Sequence, residues 1–468
     1  MIALTLDQIA RATGGRLLGN PATVVSGDVV TDSRRVQPGS LFVALRGARV
    51  DGHEYLAAAA EAGAVAALVT REVATAPIAQ IEVADTTTAL GALARHVLAT
   101  LRDQARPPLV VAVTGSVGKT STKDLLAALL EHTGPVIAPR GSYNNEVGLP
   151  LTVLRAGTDT AVLVLEMGAD APGNLTYLTS IAPPDLAVVL AVGRAHLGGF
   201  GDLDAVARAK SELVQNLRPE GTALLNADDA RVAAMTRVVS GARTVLFGRD
   251  PRAEVRATDV STDAQGRARF TMHLDGRPWP VQLALYGEHQ VTNALAAAAV
   301  AHQVGVAPEQ IVAGLGSAFA RSPHRMDVHR TGSGITIIDD AYNANPDSMR
   351  AALRALRQLS RTTGGRAVAV LGPMRELGPD STAEHEGVGG FAATLGIDRL
   401  VAVEGEARPL ATGALAAGMA RSAVDRASGV PEAVAMLRRY LRAEDVVLVK
   451  ASNSEQLWRV AEALEDVR

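Results

Sequence analysis

The residues with the clearest chemical potential form the glycine-rich stretch Gly115-Ser116-Val117-Gly118-Lys119-Thr120-Ser121. An apolar run typical of a buried strand precedes this stretch, and a helical pattern follows it. In such a loop, backbone N–H groups surround phosphate oxygens, and the positive end of the helix dipole attracts them. Lys119 then reaches the β- and γ-phosphates, and the Thr120 hydroxyl binds Mg²⁺. The sequence therefore predicts a nucleotide site, although its glycines lie closer together than in the common GxxxxGK[ST] form.

Two polar side chains follow further apolar runs that have the composition of buried parallel strands. Glu166 ends the run of residues 161–166, and His196 comes shortly after the run of residues 186–192. Because the carboxyl ends of parallel strands meet at one edge of a sheet, we expect both side chains near the phosphate loop. A carboxylate there suits Mg²⁺, and an imidazole binds a metal or orients a reacting group. The plainer alternatives are an exposed strand-end glutamate and a structural loop histidine.

Lysine is scarce in this chain. It occurs at positions 119, 123, 210 and 450 alone, whereas arginine fills the other cationic positions. A genome that favours arginine codons explains the trend, but a lysine kept against it points to a need for a compact charge or a titratable amine. Lys210 lies in a helical pattern, where a surface lysine is the plain interpretation. If its amine reacted with CO₂, the carbamate would offer a ligand for a second Mg²⁺.

Polar groups also cluster in two stretches that suit the recognition of a polar substrate. One stretch contains the hydroxyl and amide side chains of Ser142, Asn144 and Asn145. Amides both donate and accept, as contact with a peptide backbone requires, although a turn rich in asparagine is the alternative. Near the start of the chain, Ser33 and Arg34 belong to a stretch whose adjacent arginines suit an anionic ligand, unless they form a solvated pair.

A third polar stretch follows a predicted strand in the last third of the chain. Asn345 and Pro346 fit the N-cap and first helical positions of the helix that follows. Capping does not account for Asp340, Tyr342 and Asn343 together at the end of a predicted strand. Arg325 lies at a predicted break between domains, where it can contact a phosphate when the domains close.

Composition excludes several classes of protein. The chain has 468 residues, a net charge of −3 and no cysteine, which argues against a nucleic-acid partner and excludes disulfides, cysteine-bound metals and thiol chemistry. Its N-terminal stretch lacks the basic region of a signal peptide. It contains no run of about 18 uncharged apolar residues that would indicate a membrane span. We therefore expect a cytoplasmic protein that acts as a monomer.

The length predicts about three domains. Breaks rich in proline and charge divide the chain into residues 1–106, 107–320 and 321–468. We expect a small α/β domain first, then a doubly wound, mostly parallel sheet around the phosphate loop, then a Rossmann-like unit. Residues 253–286 alternate between polar and apolar and predict a small antiparallel segment. The third unit has no GxGxxG turn after its first strand, so dinucleotide binding is not indicated.

Taken together, the polar stretches resemble those of the Mur ligase family over nearly the whole chain. The stretches that carry the resemblance are TDSRRVQPGSLFVALRG, VAVTGSVGKTSTK, GSYNNEVGLPLTVL, LEMGA, GRAHLGGFG, ARAKSE, NALAAAAV, PHRMD, DDAYNANPDSM and LGPMRELG. The phosphate loop with only two residues between its glycines is the form found in this family.

This resemblance implies an ATP-dependent, ADP-forming ligase of peptidoglycan precursor synthesis that uses ATP and Mg²⁺. The stretches are most similar to those of the member that joins D-alanyl-D-alanine to UDP-N-acetylmuramoyl-tripeptide through an acyl phosphate. The resemblance also implies an N-terminal domain for the UDP sugar, a central ATPase and a C-terminal Rossmann-like domain.

The resemblance further implies roles for individual residues. Catalysis would rest on Lys119, His196 and Lys210. The metal would be held by Thr120, Glu166, His196 and Lys210, the last matching a lysine that is carbamylated in related ligases. ATP would be contacted by residues 115–121, Asn293, Arg325, Asp340 and Tyr342. The uridine diphosphate would be contacted by Ser33, Arg34 and Arg46, and the peptide side of the substrate by Ser142, Asn144 and Asn145.

Two stretches depart from the family pattern. LGPMRELG carries Pro373 and Arg375 where the family often has an acidic and a non-basic residue. Near the end, Asn453 stands where the family usually has arginine. Two alternatives stay open: another amino-acid ligase of the same family, and a nucleotide-switched binding protein. Phosphate release that depends on an amine substrate separates a ligase from a switch.

The phosphate loop generates a direct test. The Lys119→Ala variant is expected to lose both acyl-phosphate formation and ligation, because the loop then lacks its charge next to the transferred phosphate. Both steps are measured by ADP release and product formation. Retained turnover would exclude this loop from the mechanism.

Overall fold

The chain folds into three α/β units, each built around its own sheet. The structure is a computed structural model that describes residues 1–47, 50–139, 141–194, 200–319 and 321–465. The predicted His196 lies outside the described residues. The α/β fold class with three units is confirmed, whereas the boundaries after residues 106 and 320 stay predictions.

The N-terminal unit contains a small mixed sheet. Its strands are β1 (Leu4–Thr5), β2 (Arg16–Leu18), β3 (Val24–Val25), β4 (Val29–Val30), β5 (Leu41–Val43), β6 (Ala66–Val69) and β7 (Ala79–Glu82). Its helices are α1 (Leu6–Thr13), α2 (Leu56–Glu61) and α3 (Thr86–Arg102). Strands β2-β7-β6-β5-β4 form the sheet in that order, parallel except for β2, while β1 pairs with β3.

Helix α3 joins this unit to the next. Its apolar side chains belong to one buried cluster that runs from Leu4 in the first unit to Met235 in the second. The approach to the second unit is close, since a Cβ on Gly91 would lie 2.7 Å from the Tyr177 hydroxyl. The first two units therefore share a continuous core.

The central unit contains a nine-stranded sheet. Its strands are β8 (Leu109–Thr114), β9 (Val136–Ile137), β10 (Val162–Glu166), β11 (Leu186–Val189), β12 (Thr222–Asn226), β13 (Arg243–Gly248), β14 (Val255–Thr262), β15 (Arg267–Leu274) and β16 (Arg277–Tyr286). Its helices are α4 (Lys119–Leu130), α5 (Gly148–Val153), α6 (Asn174–Ile181), α7 (Leu203–Gln215), α8 (Ala230–Ala234), α9 (Gln290–Gln303) and α10 (Pro308–Ser317).

Strand order in this sheet explains where the site lies. The order is β16-β15-β14-β13-β12-β11-β8-β10-β9, so β8 lies between β10 and β11. All three run parallel, which brings the phosphate loop and the end of β10 to the same edge. The antiparallel segment predicted for residues 253–286 is confirmed, and it extends the same sheet because β14 pairs parallel with β13.

The C-terminal unit contains a six-stranded sheet. Its strands are β17 (Asp327–Arg330), β18 (Thr336–Asp339), β19 (Ala367–Leu371), β20 (Arg399–Val403), β21 (Val424–Ala427) and β22 (Val446–Lys450). Its helices are α11 (Pro346–Thr363), α12 (Ser381–Thr394), α13 (Arg408–Ala416), α14 (Val430–Tyr440) and α15 (Trp458–Glu465). The order is β17-β18-β22-β19-β20-β21, parallel except for β17. The predicted N-cap is confirmed, since Asn345 Oδ1 accepts from the Ser348 N–H at 2.9 Å.

The C-terminal unit lies over the phosphate loop. The Asn345 amide donates to the Ser116 carbonyl at 3.5 Å. The Arg194 backbone N–H donates to the Asp347 carboxylate at 3.2 Å, and the Arg194 side chain pairs with Glu384. Helices α11 and α12 thus contact the central sheet at its ligand edge.

Close packing of α12 against α13 depends on glycines on both helices, Gly389 and Gly413, and gives a test of the fold. A Cβ on Gly389 would lie 1.9 Å from the Leu410 backbone oxygen, which cannot move aside independently. We expect Gly389→Ala to lower stability by about 1–3 kcal/mol through overpacking, seen as a lower Tm. The matched control is Gly390→Ala, whose Cβ would lie 3.6 Å from the nearest atom. Equal Tm values for the two variants would contradict this packing.

Candidate functional site

A cavity of about 970 Å³ lies where the three units meet. The N-terminal unit contributes Thr87 and Thr88, at the start of α3. The central unit contributes the phosphate loop and the residues that follow β9 and β10. The C-terminal unit contributes residues at the ends of β18 and β22. The volume is at the upper end of the range for small-molecule sites and suits a large ligand or two ligands side by side.

The phosphate loop has room only for glycine at its two glycine positions. Gly118 has a φ of 84°, and a Cβ there would lie 2.3 Å from the Asn293 side-chain oxygen. A Cβ on Gly115 would lie 2.9 Å from the Leu190 Cβ. Lys119 Nζ donates to the Gly115 carbonyl at 2.6 Å. Burial lowers the pKa of Lys119, while the charge of Glu166 opposes that shift.

Thr120 lies at the centre of a hydrogen-bonded line of side chains. Its hydroxyl donates to Glu166 Oε2 at 2.9 Å and lies 2.9 Å from the Ser142 hydroxyl. On the other side of the carboxylate, the Asn144 amide donates to Glu166 Oε1 at 2.8 Å. Glu166 is buried, so each of its oxygens has a fixed partner and a fixed direction.

Thr120 and Glu166 fit a magnesium ion. Mg²⁺ takes hard oxygen ligands and is usually bound in proteins through one or two carboxylates together with substrate phosphates. Within the part of the chain that the structure describes, no group of three or more His, Cys, Asp or Glu side chains could hold a metal ion. One hydroxyl and one carboxylate beside a phosphate loop match the Mg²⁺ arrangement without such a group.

Lys210 is a buried lysine on α7 with a shifted pKa. Burial lowers the pKa of its amine to about 7, and the positive charge of Lys119 adds to the shift. The amine makes no hydrogen bond or ion pair with another described residue. The lowered pKa increases the share of neutral amine near pH 7, the form in which an amine reacts as a nucleophile.

Arg325 extends the line of hydrogen bonds into the C-terminal unit. Its guanidinium donates to the Ser142 hydroxyl at 2.8 Å and stacks over the Tyr342 ring at 4.2 Å. The residues on both sides of it have left-handed backbones, with φ of 58° at His324 and 54° at Met326. This backbone turns the Arg325 side chain toward the phosphate loop.

Asp340 lies at the end of β18, where the sequence predicted a ligand contact. Its carboxylate accepts from Lys450 Nζ at 2.6 Å and from the Met326 N–H at 3.1 Å. Lys450 also donates to the Asn343 carbonyl at 2.8 Å. Burial lowers the pKa of Lys450, and Asp340 opposes the shift. Lys450 was not among the predicted site residues, although its rarity as a lysine was a signal.

Asn293 lies against the other side of the phosphate loop. Its amide donates to Gln290 Oε1 at 2.8 Å, and its oxygen accepts from the Thr122 hydroxyl at 3.3 Å. Both Asn293 and Gln290 line the cavity from the first turn of α9. Gln290 was not among the predicted site residues.

The residues predicted to contact a uridine diphosphate are not among those that line this cavity. Ser33 and Arg34 lie on a short 3₁₀ helix, where Arg34 pairs with Asp32 at 2.7 Å. The backbone of Arg46 bridges to Asp51. These roles stay predictions.

Arg35, which follows Ser33 and Arg34, does reach the wall of the cavity. The Arg35 guanidinium lies 3.5 Å from the Tyr143 hydroxyl, and Tyr143 lies between two residues that line the cavity, Ser142 and Asn144. Asn145 lines the cavity too, but its side-chain oxygen already accepts from the Gly148 N–H at 2.9 Å at the start of α5.

The two departures from the family pattern, at Arg375 and Asn453, both line the cavity. Arg375 is held within the C-terminal unit by ion pairs with Glu406 and Glu455. Its N–H also donates to the Ser452 hydroxyl at 2.9 Å. Asn453 opens a short 3₁₀ helix and lines the cavity. The basic side chain at position 375 is therefore matched by two carboxylates.

The fold and the site define a P-loop nucleotide-binding enzyme whose C-terminal unit covers the phosphate loop. Family models identify it further. The model described as "Mur ligase middle domain" matches residues 113–301, "Mur ligase, glutamate ligase domain" matches residues 324–453, and "Mur ligase family, catalytic domain" matches residues 28–97. The chain belongs to the Mur ligase family.

Similar proteins span the whole chain. The UDP-N-acetylmuramoyl-tripeptide–D-alanyl-D-alanine ligase of Mycobacterium tuberculosis (strain ATCC 25618 / H37Rv) is 45% identical over 502 residues, covering 99% of this chain and 98% of its own length. The enzyme of the same name from Escherichia coli (strain K12) is 35% identical over 469 residues, covering 100% and 99%.

Solved structures agree in fold. A crystal structure of MurF from Acinetobacter baumannii has a TM-score of 0.87 at 34% identity and covers 99% of both chains. MurF from Thermotoga maritima in complex with ADP has a TM-score of 0.80 at 30% identity, covering 94% of this chain and 97% of its own. Among the described residues, no helix has both the length and the apolar character needed to cross a membrane.

Proposed function

We propose that this chain uses ATP to join D-alanyl-D-alanine to UDP-N-acetylmuramoyl-tripeptide, releasing ADP and phosphate, as a step in peptidoglycan precursor synthesis. Full-length relatives at 45% and 35% identity carry the name of this ligase. An ADP complex of a similar structure supports ATP as the energy source.

One observation carries the proposal. Thr120, Ser142 and Arg325 come from the phosphate loop, the polar stretch after β9 and the domain linker, and they meet through contacts of 2.9 and 2.8 Å. Three separate segments therefore converge on the position that a terminal phosphate on this loop would occupy. A ligase that forms an acyl phosphate needs such convergence, because phosphoryl transfer depends on positioning and on neutralising charge.

In the first step, a carboxylate oxygen of the tripeptide attacks the γ-phosphorus of ATP. The bond from phosphorus to the β–γ bridging oxygen breaks, ADP leaves, and an acyl phosphate forms. Lys119 and Arg325 approach the phosphate from opposite units and offset the charge that spreads over its oxygens. Mg²⁺, held by Thr120 and Glu166, would neutralise further charge on the phosphates.

In the second step, the amine of D-alanyl-D-alanine attacks the acyl carbon. A tetrahedral intermediate forms, loses a proton from nitrogen and expels phosphate, which leaves the new amide bond. Because water would hydrolyse the acyl phosphate, the C-terminal unit must cover the site before chemistry begins. The contacts of Asn345 with Ser116 and of Asp347 with Arg194 support such a cover.

The remaining roles complete the proposal. Ser33, Arg34 and Arg46 would hold the uridine diphosphate, with the rest of that substrate entering along the loop that carries Asn144. We place the reaction in the cytoplasm because it consumes ATP. We also propose a monomer, since all three units of one chain line the cavity.

We propose further that Lys210 reacts with CO₂ to form a carbamate. The pKa of about 7 leaves enough neutral amine for the reaction, and the product places a negative group in a buried position near Lys119. That group would neutralise the lysine or serve as an additional Mg²⁺ ligand.

Carbamylation predicts rescue by small carboxylates. Lys210→Ala should lower kcat by about 10²-fold, the usual effect of removing one charged group from a transition-state site. Added acetate or formate should restore part of the activity by filling the space of the carbamate. In the wild type, ¹³C-labelled bicarbonate should give a carbamate NMR signal that Lys210→Ala lacks. No rescue and no signal would assign Lys210 a plain ammonium role.

The activity itself is tested by product analysis. The protein is incubated with UDP-N-acetylmuramoyl-tripeptide, D-alanyl-D-alanine and ATP, and the products are identified by mass spectrometry. With ¹⁸O in the terminal carboxylate of the tripeptide, one label should appear in the released phosphate, because that oxygen passes through the acyl phosphate.

Two controls separate the alternatives. Replacing D-alanyl-D-alanine with single amino acids should give no product, whereas another amino-acid ligase of the family would accept one of them. Phosphate release that continues at an equal rate without any amine would reject the ligase and support a nucleotide-switched protein.

A further inference from the structure

Lys123 is a buried charge that the proposed reaction does not use. Its side chain is 3% exposed, and the side chain of its partner Asp124 is 7% exposed. Both lie on α4, one turn after the phosphate loop. A buried ion pair is often no more stabilising than apolar residues of similar volume, so burial alone does not explain its presence.

The Lys123 amine forms one ion pair and two hydrogen bonds. It contacts Asp124 Oδ1 at 2.5 Å, the Pro139 carbonyl at 3.2 Å and the Ser322 hydroxyl at 3.0 Å. Asp124 in turn accepts from the Ser322 N–H at 3.0 Å and from its hydroxyl at 3.2 Å. These groups tie together helix α4, the segment after β9 and the domain linker.

Each anchored segment carries a site residue three positions away. Lys123 follows Thr120 by three residues, Ser142 follows Pro139 by three, and Arg325 follows Ser322 by three. These three site residues are the ones that meet through contacts of 2.9 and 2.8 Å. The Lys123 contacts thus join the same three segments that carry these site residues.

We infer that Lys123, Asp124 and Ser322 form a buried polar hub that positions Ser142 and Arg325 against Thr120. The inference rests on the proposed function, because that function assigns Arg325 its role in phosphoryl transfer. The hub residues are positioning residues. They hold the start of the strained turn at residues 324–326 to the same helix that holds the nucleotide.

The chemistry of the hub requires lysine. A compact ammonium directs its donors toward acceptors spread around it, whereas the planar guanidinium of arginine directs its donors in one plane. This distinction accounts for a lysine in a chain that uses arginine at nearly every other cationic position. Lys123→Arg keeps the charge but cannot reproduce all three contacts.

The test compares Lys123→Arg and Ser322→Ala with the wild type in the ligation assay. We expect Lys123→Arg to lower kcat by about 10²-fold, the loss that a displacement of about 1 Å produces. Ser322→Ala, which removes the hydroxyl but keeps both charges, should lose about 10-fold. Binding of ADP should change by less than about threefold for both variants, because the phosphate loop itself is intact.

The chain offers a matched control. Glu131, just after α4, pairs at 2.7 Å with Arg321, just before Ser322, and thus ties the same helix to the same linker at an exposed position. Glu131→Gln should leave kcat within about twofold of the wild type, since exposed pairs contribute little. If Glu131→Gln lowered kcat as much as Lys123→Arg, the buried contacts would have no special role compared with any other contact between these segments. That result would overturn the hub.

A double-mutant cycle separates positioning from general stability. If Lys123 acts through Arg325, adding Lys123→Arg to Arg325→Ala should lower kcat by no more than about threefold further. Losses that multiply would overturn the inference, as would full activity of both Lys123→Arg and Ser322→Ala. Should Lys123→Arg fail to fold, Ser322→Ala with Arg325→Ala provides the same cycle.

Failure of the hub and failure of the proposed reaction give different results. If the wild type makes no product from the tripeptide, D-alanyl-D-alanine and ATP, the proposed function fails. If the wild type is active and the hub variants match it, only the hub fails.

Discussion

The site depends on one hydroxyl group. Thr120 belongs to the phosphate loop and contacts Glu166 on one side and Ser142 on the other, both at 2.9 Å. Through Ser142 it is linked to Arg325, which belongs to the linker before the C-terminal unit. A shift of the strands that carry Glu166 and the loop would therefore disturb the proposed metal position and the interdomain contact together. The parallel register of β8 and β10 is the constraint that prevents such a shift.

Buried lysine amines are concentrated at the candidate site for a physical reason. Lys119, Lys210 and Lys450 all have pKa values lowered mainly by burial. A buried amine is costly in an isolated protein, but its charge acts strongly on a phosphate because little water screens it. The ligand-free protein therefore holds charge that is best compensated when the anionic substrates bind. Lys450 is the exception, since Asp340 already pairs with it at 2.6 Å.

Sequence analysis found the features that local pattern determines. Apolar runs predicted the strands beside the loop, and the Asn345–Pro346 pair predicted the start of α11. Sequence analysis did not find contacts between residues that lie far apart in the sequence. Lys123 bonds to residues 16 and 199 positions away, and Lys450 bonds to Asp340, 110 positions away. The family resemblance carried residue roles across without geometry, so the assignment of Arg34 to a ligand stays a prediction; its side chain pairs with Asp32 in this structure.

The continuous core through α3 limits how the chain can be recombined. One apolar cluster extends from Leu4 to Met235, whereas the buried clusters of the C-terminal unit are separate from it. In a chimera with the first hundred residues of a relative, the new apolar side chains would have to pack against those of the central unit throughout that cluster. An exchange after residue 321 would cut through few apolar contacts but would have to keep Ser322. Of the two domain boundaries, the linker before the C-terminal unit therefore suits exchange better than the boundary between the first two units.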